Sequence, residues 1–336
     1  MVVSLKLLPL CSQYLRTQTR HSRSAIMSGF ICYGLFSSLK PTAMFITTTI
    51  YTISSIIAAL GNTFCLIVLC QPSQRSKSNK ILTSLALSDC LVGYACFPLA
   101  IWLMNVGVDA TGRCKVEKIY SVVTLWMAGS SSCSIVFLAY ERYLHIARAG
   151  RSYSNLTNRK VNFVVVFYWS LGFVISFACT CDVNIYMFFG ISTTVSAVIF
   201  MCVSYYYILK AVRQSRRRIA ANIGSHQQVS HYIRCTKKVL LIIICYLIAC
   251  LPTLFLIFVM LVALADPNLF SENWHVYTPV IVTYIGLSNS CVNPFLYVWK
   301  DPNFKAGCQM LIRRTRTALP PPLRQDHNDA LKVSTV

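Results

Sequence analysis

Acidic residues are scarce in this chain, and so is charge in general. Its 336 residues include 10 Asp and Glu against 31 Lys and Arg, giving a formal net charge of +21, and only 12% of the residues are charged while 55% are hydrophobic. A soluble domain carries about a quarter charged residues, because its surface must be hydrated. This composition excludes an ordinary soluble enzyme. A nucleic-acid-binding protein is also a poor fit, because its basic groups are spread over a polar surface rather than separated by long apolar runs.

Charge is almost absent from seven apolar runs, each long enough to cross a bilayer as a helix of about 20 residues. The runs cover approximately residues 43–70, 81–104, 119–140, 161–181, 183–209, 239–265 and 275–299. Asp89 is the single Asp, Glu, Lys or Arg within them. The runs are continuous rather than alternating in polarity, which excludes a transmembrane β-barrel. The sequence therefore predicts an all-α membrane protein built as a seven-helix bundle.

The basic residues fall on one side of these runs. Segments 75–80, 142–160 and 210–238 and the chain from Lys300 onward hold 23 of the 31 Lys and Arg residues. Connections rich in Lys and Arg face the cytoplasm, so we expect an extracellular amino terminus and a cytoplasmic carboxyl terminus. The chain divides into an extracellular segment 1–42, whose starting methionine is open, a seven-helix domain 43–299, an amphipathic helix 300–314 and a tail 315–336.

The carboxylate of Asp89 needs polar partners, because a charge at a helix centre costs about 2.5–3.5 kcal/mol to insert. Ser131 in the third run is one candidate. In the seventh run, Asn289, Ser290 and Asn293 share a helical face at spacings of three and four. A carboxylate among hydroxyls and amides suits a small hard cation. The alternative is a protonated, hydrogen-bonded Asp89 that binds no ion.

Short motifs occur in order along the runs. They are Gly61-Asn62, Leu85 to Asp89, Glu141-Arg142-Tyr143, Trp169, Tyr205, Pro252 and Asn293-Pro294 followed by Tyr297. On these motifs the chain resembles the class A (rhodopsin-like) G protein-coupled receptors across residues 43–314.

The resemblance implies a plasma-membrane receptor, not an enzyme, that passes an extracellular ligand signal to a heterotrimeric G protein by helix rearrangement, with arrestin as a further partner. It assigns an allosteric sodium ion to Asp89, Ser131, Asn289, Ser290 and Asn293, and it implies no other metal or cofactor. It assigns G protein coupling and activation to Glu141, Arg142, Tyr143, Tyr205, Pro252, Asn293, Pro294 and Tyr297. Arg142 would move from Glu141 to the G protein. Pro252, which lacks an N–H group, would kink a moving sixth helix.

The chain departs from the family pattern at several positions. Cys250 replaces a common tryptophan, and Ala197 and Ala149 replace prolines. The last two changes and the short interval between Trp169 and Tyr205 resemble the melanocortin-like subgroup. That subgroup often lacks the third-helix cysteine, and Glu117 stands at that position. A disulfide between Cys114 and Cys179 or Cys181 remains open.

The ligand is expected to be neither an amine nor retinal. Amine receptors need a third-helix acid where this chain has Thr124, and opsins need a seventh-helix lysine where it has Leu287. The pocket candidates are mostly apolar: Thr124, Met127, Ala128, Thr253, Phe255, Leu256, Tyr284 and Leu287.

Two features after the seventh run suggest membrane or protein contacts. Phe304, Cys308 and Leu311 recur at helical spacing among basic residues, which suits an interfacial helix with Cys308 open to palmitate. The final residues Ser334 to Val336 fit the groove of a PDZ-domain protein.

Two other functional classes remain as alternatives. A transporter or channel would use Asp89 as a transport site, but such folds show internal repeats and paired helix breaks, which this sequence lacks. The second is a non-signalling, receptor-like scaffold.

Overall fold

The computed structural model describes residues 39–72, 76–105, 110–147, 155–178, 183–220, 244–248, 250–255, 258–259, 262, 272–300 and 302–318. At several helix ends, including 183–188, 215–220, 272–276 and 297–300, it describes only the backbone. Residues 1–38 of the predicted extracellular segment 1–42 and residues 319–336 of the predicted tail 315–336 lie outside the described residues, and with them Ser334 and Val336.

Every regular element in the described ranges is a helix, which confirms the predicted all-α fold. The helices are α1 Pro41–Leu69, α2 Lys77–Asn105, α3 Ala110–Ala147, α4 Asn158–Ala178, α5 Val183–Ala220, α6 with its described residues within Ile244–Phe255 and at 258–259 and 262, α7 Glu272–Lys300 and α8 Pro302–Ala318. Helices α1 to α5 are each long and apolar enough to span a bilayer, and α6 and α7 contain shorter apolar stretches.

Several helices extend beyond the apolar runs because their end turns carry polar residues. Helix α2 begins four residues before the run at 81, where the Ser76 hydroxyl caps it by accepting a hydrogen bond from the Asn79 amide at 3.1 Å. Helix α1 has Pro41 in its first turn, a position whose N–H needs no partner within the helix.

Helix α2 contains one π-helical turn at Val92–Cys96, which the Phe97 amide closes by donating to the Val92 carbonyl. The Ser55 hydroxyl of α1 donates to the Gly93 carbonyl at 2.7 Å within this turn. The helices approach so closely here that a Cβ atom on Gly93 would lie 2.7 Å from the Ala59 Cα. Only glycine fits this contact between α1 and α2.

The bundle is arranged around α3, which packs against α2, α4 and α5, while α1 packs against α2 and α7. One apolar cluster, including Leu85, Leu138 and Phe304, lies toward the end of the bundle that contains Arg142 (the Arg142 end). A second cluster, including Phe97, Met127 and Leu287, lies toward the end that contains Cys114 (the Cys114 end). Asp89 stands on α2 between the residues of the two clusters.

The outer surface of the bundle is apolar. On α4, Phe163, Val166 and Phe167 are 70%, 64% and 56% exposed, and α1 presents a comparable row. Exposed apolar area on this scale indicates contact with membrane lipid, which agrees with a multi-pass membrane protein.

Candidate functional site

A buried polar cluster surrounds Asp89, whose carboxylate is fully inaccessible. The Ser131 and Ser290 hydroxyls donate to its Oδ1 atom at 3.0 and 2.8 Å, and the Asn293 amide donates to Oδ2 at 2.6 Å. No Lys or Arg among the described residues forms an ion pair with Asp89. The carboxylate is therefore held by three neutral donors from α3 and α7, with no cationic side chain to balance its charge.

Asn289 does not join these donors, although the sequence grouped it with them. Its side chain is half-buried, and the structure shows no hydrogen bond from it to Asp89. Ser290 and Asn293, three residues apart, both point toward α2. One residue earlier, the helix has turned by about 100°, which directs Asn289 away from the carboxylate.

Helices α1 and α7 are joined beside this cluster. The Asn62 amide donates to the Ser290 carbonyl at 3.0 Å and to the Ala58 carbonyl at 2.8 Å. The Ser290 carbonyl would ordinarily accept from the residue four positions later, but that residue is Pro294, which has no N–H. Asn62 thus replaces the hydrogen bond that the proline removes. Gly61 leaves room for the proline ring, since a Cβ there would lie 2.9 Å from the Pro294 Cγ.

Glu141 and Arg142 form an ion pair at the Arg142 end of α3. The Arg142 Nε lies 3.2 Å from the Glu141 Oε2, and the Glu141 side chain is fully buried while that of Arg142 is 18% exposed. The Ser78 hydroxyl of α2 donates to the other oxygen, Oε1, at 3.0 Å. Sequence reasoning missed Ser78. The sequence feature that could have identified Ser78 is a hydroxyl in the first turn of α2, at the same membrane depth as Glu141.

The other predicted activation residues are not joined to Arg142 in the described contacts. Tyr143 packs on Tyr207 of α5 with ring centroids 5.9 Å apart, and Tyr205 is half-buried. Pro252 faces outward from α6. The Tyr297 side chain lies outside the described residues.

Two further polar contacts cross the bundle, and the sequence did not reveal them. The Tyr246 phenol of α6 donates to the Ser132 hydroxyl of α3 at 3.1 Å. Between α2, α3 and α4, the Tyr168 hydroxyl lies 2.7 Å from Ser84 and 2.8 Å from Ser134. The Trp169 indole also donates to Ser84 at 2.8 Å, which accounts for the tryptophan noted in the fourth run.

The predicted ligand pocket is partly assembled toward the Cys114 end. Met127 and Leu287 are buried in one cluster, against which Tyr284 packs. The Tyr284 hydroxyl lies 3.2 Å from the Ser54 hydroxyl. Thr124 is buried with 8% exposure, and its hydroxyl has no close hydrogen-bond partner among the described residues. Ala128 and Thr253 are half-buried, and Leu256 lies outside the described residues.

The structure does not direct the predicted pocket residue Phe255 toward Met127 and Leu287. Its side chain is 65% exposed and continues an outward row on α6 that includes Ile244, Ile248, Leu251 and Phe258. These residues recur at spacings of three and four and form the outer face of the helix. The sequence alone does not show which face of α6 the residues next to Pro252 occupy, because it does not define how α6 is rotated about its own axis in the bundle.

Cys114 is disulfide-bonded in the structure, and both partners considered from the sequence, Cys179 and Cys181, lie outside the described residues. On α8, Cys308 is half-buried and packs against the apolar cluster at the Arg142 end. Burial raises the pKa of the Cys308 thiol above its ordinary value, so little of it is thiolate at neutral pH.

Known proteins resemble this chain over most of its length. The dog histamine H2 receptor is 23% identical over 305 residues, covering 82% of this chain and 81% of the receptor. The human histamine H2 receptor is 25% identical over 312 residues, covering 81% of each. The rat receptor of the same name is 25% identical over 304 residues, covering 82% of this chain and 80% of the receptor.

The family described as 7 transmembrane receptor (rhodopsin family) matches residues 61–184 and 179–297. These two matches together span well over half of the chain and include the Asp89 cluster and the Glu141–Arg142 pair. Proteins of this family are signalling receptors rather than enzymes. The chain belongs to the rhodopsin family of seven-transmembrane receptors.

Proposed function

We propose that this receptor activates a heterotrimeric G protein by releasing Arg142 from Glu141. The observation that supports this proposal most strongly is the buried Glu141 carboxylate, which contacts Arg142 on one oxygen and Ser78 on the other. Arg142 is the more accessible partner, so a displacement of α3 or its neighbours presents a cation at the surface. With the Arg142 end in the cytoplasm, as the basic connections favour, that cation faces the G protein.

Movement of α6 is the proposed trigger. Tyr246 links α6 to α3, while Pro252 interrupts the α6 backbone six residues later. Tyr143, Tyr205, Pro294 and Tyr297 are proposed to accommodate the rearranged helices at the Arg142 end. Ligand binding toward the Cys114 end would then shift a two-state equilibrium that the G protein reads.

The Asp89 cluster is proposed as an allosteric sodium site. A buried carboxylate with two adjacent hydroxyl oxygens and no cationic partner is a suitable ligand set for a small hard cation. Asp89, Ser131 and Ser290 would coordinate the ion, and Asn293 would orient the carboxylate. Asn289 would not coordinate the ion directly. Bound sodium would supply the positive charge that the side chains around Asp89 do not.

We propose that the ligand is held mainly by apolar contacts with Met127 and Leu287. Thr124 provides no charge for an ammonium group, and Leu287 provides no amine for retinal. A second candidate is an amine, because the relatives reported above are named histamine receptors. The residue that favours it is Glu117, which is 1% exposed on α3, about two turns before Thr124.

These two ligand classes are separated by one experiment. Histamine and a panel of neutral lipids are applied to cells that express the wild-type receptor, Glu117→Gln or Thr124→Val. A histamine response that is lost in Glu117→Gln supports the amine candidate. A lipid response that survives in Glu117→Gln supports the apolar pocket.

Membership of the melanocortin-like subgroup is also a proposal. It is supported by the four residues between Ala178 at the end of α4 and Val183 at the start of α5. Ala197, in place of a proline within α5, is buried with 7% exposure. Two further partners are proposed: arrestin, and a PDZ-domain protein that binds Ser334 and Val336. Palmitate on Cys308 is a proposed modification.

The main proposal is tested by replacing Arg142. Arg142→Ala should abolish both basal and ligand-driven G protein activation at unchanged surface expression. Arg159→Ala, an exposed arginine at the start of α4, serves as the matched control. If Arg142→Ala leaves both activities intact, the activation mechanism is wrong, and the transporter, channel or scaffold alternative gains support.

A further inference from the structure

An open cavity of about 300 Å³ lies at the Arg142 end, between the end of α1 and the first turns of α2 and α4. Its walls include Cys70 and Gln71 after α1, Lys80 and Thr83 of α2, and Asn162 of α4. The Gln71 amide donates to the Gly307 carbonyl of α8 at 3.2 Å, which fixes the side of the cavity nearest α8. None of these residues belongs to the Asp89 cluster or to the Glu141–Arg142 pair.

The cavity contains a cation that the protein positions but does not neutralise. The Lys80 ammonium donates to the Asn162 Oδ1 atom at 3.2 Å. No Asp or Glu among the described residues forms an ion pair with Lys80. An ammonium carries three donor hydrogens, so two remain for an anion once Asn162 has accepted one.

An exposed apolar surface of α4 lies next to the cavity. Val166 lies one turn beyond Asn162 and is 64% exposed. On the neighbouring face of α4, the Phe163 and Phe167 rings stack with centroids 6.3 Å apart and planes 18° apart. A ligand with an anionic head at Lys80 would have its apolar part against these side chains.

We propose that this cavity binds the head group of an anionic phospholipid, with the acyl chains along Phe163, Val166 and Phe167. A free phosphate would use Lys80 but not the apolar row, and a sterol would use the row but not the charge. Anionic lipids are concentrated in the cytoplasmic leaflet, so the proposal rests on the proposed orientation with the Arg142 end inside. The site lies between α1, α2 and α4, next to the Gln71–Gly307 contact with α8.

The proposal is tested on the purified full-length receptor, without a G protein, by native mass spectrometry. The receptor is equilibrated with equal amounts of phosphatidylserine and phosphatidylcholine that carry the same acyl chains. The wild type should retain phosphatidylserine preferentially. Lys80→Gln should lower that preference by about fivefold, the contribution of one lysine beside an anionic surface.

Lys210→Gln is the matched control, because it removes an exposed lysine from α5, which does not border the cavity. It should retain the wild-type preference. If Lys80→Gln does not fold, Asn162→Ala replaces it and should also weaken the preference, since the ammonium loses its positioning partner.

Three outcomes would overturn the proposal. The first is an unchanged lipid preference in both cavity variants. The second is complete displacement of the lipid by inorganic phosphate, which would show that the head group alone is recognised. The third is equal displacement of the lipid by cholesterol, which would show that the site does not recognise the charge of the head group. Because no activation is measured, failure of the G protein proposal leaves this result interpretable.

Discussion

The Tyr246 phenol of α6 donates a hydrogen bond to the Ser132 hydroxyl of α3 across 3.1 Å. Tyr246 is only 4% exposed, so the bond lies inside the bundle and no water competes for it at the surface. Interhelical side-chain hydrogen bonds in membranes contribute about 0.6 kcal/mol on average. A bond of this size does not hold the fold together, but it biases the position of α6 relative to α3.

Tyr246→Phe removes this bond and keeps the aromatic ring. We expect basal G protein activation, normalised to surface expression, to rise about two- to threefold, which corresponds to the loss of one such bond. Ser132→Ala should give a similar increase, and the double variant should not exceed either one, because both remove the same interaction. Tyr206→Phe, at an exposed position on α5, is the control. Unchanged basal activity in both single variants would contradict the proposed link.

The Asp89 cluster should make receptor stability depend on sodium. Raising the sodium chloride concentration, with choline chloride as the control for ionic strength, should raise the unfolding temperature of the wild-type receptor. A ligand at 100 times its Kd stabilises the folded state by about 2.7 kcal/mol. Asp89→Asn should abolish the sodium response because the amide carries no charge, whereas Asn289→Ala should preserve it. An equal sodium response in Asp89→Asn and the wild type would show that sodium does not bind at this cluster.

Replacing glycine by alanine should destabilise the receptor where two helices are in close contact and have little effect at open positions. Gly93→Ala forces a methyl group against the α1 backbone, and overpacking of this kind costs about 1–3 kcal/mol. Gly61→Ala is expected to be milder, because its neighbour is the Pro294 ring rather than backbone. Gly129→Ala and Gly190→Ala are the controls, since nothing lies within 4 Å of a Cβ at either site. The measurement is the unfolding temperature in detergent, and similar values for all four variants would refute the close approach.

Ser78→Ala should weaken the inactive arrangement at the Arg142 end. Without the Ser78 hydroxyl, the buried Glu141 carboxylate loses the donor on Oε1 and with it part of what fixes its position beside Arg142. A hydrogen bond to a charged group contributes about 1.5–3 kcal/mol, so Arg142 should become easier to release. Basal activation should therefore rise.

The control for Ser78→Ala is Thr193→Ala, which removes a hydroxyl bonded only to the backbone of its own helix at Phe189 and Gly190. Basal activity that rises equally in both variants would assign the effect to general loosening of the bundle rather than to Glu141.

The helices and part of the Asp89 cluster were predictable because each depends on local spacing. Continuous apolar runs predict spanning helices, and the interval of three between Ser290 and Asn293 places both on one face. The orientations of Asn289 and Phe255 were not predictable, because a motif does not define the rotation of a helix within a bundle. The Tyr246–Ser132 contact joins residues 114 positions apart, and the pairing of two hydroxyl-bearing residues follows only from how α3 and α6 pack.

The π-helical turn at Val92–Cys96 also affects how this receptor is compared with its relatives. A π turn accommodates one extra residue, which rotates everything after it by about 100° relative to an uninterrupted helix. Phe97, Ala100 and Met104 face the interior because of that rotation. In a relative without the turn, the equivalent interior positions are displaced by one residue beyond Val92. Mutational data from the part of α2 after Val92 must therefore be transferred with a one-residue gap. Deleting a single residue from this turn would rotate the rest of α2 by about 100°. Phe97, Ala100 and Met104 would then turn away from their interior positions, while the part of α2 that contains Asp89 would stay in register.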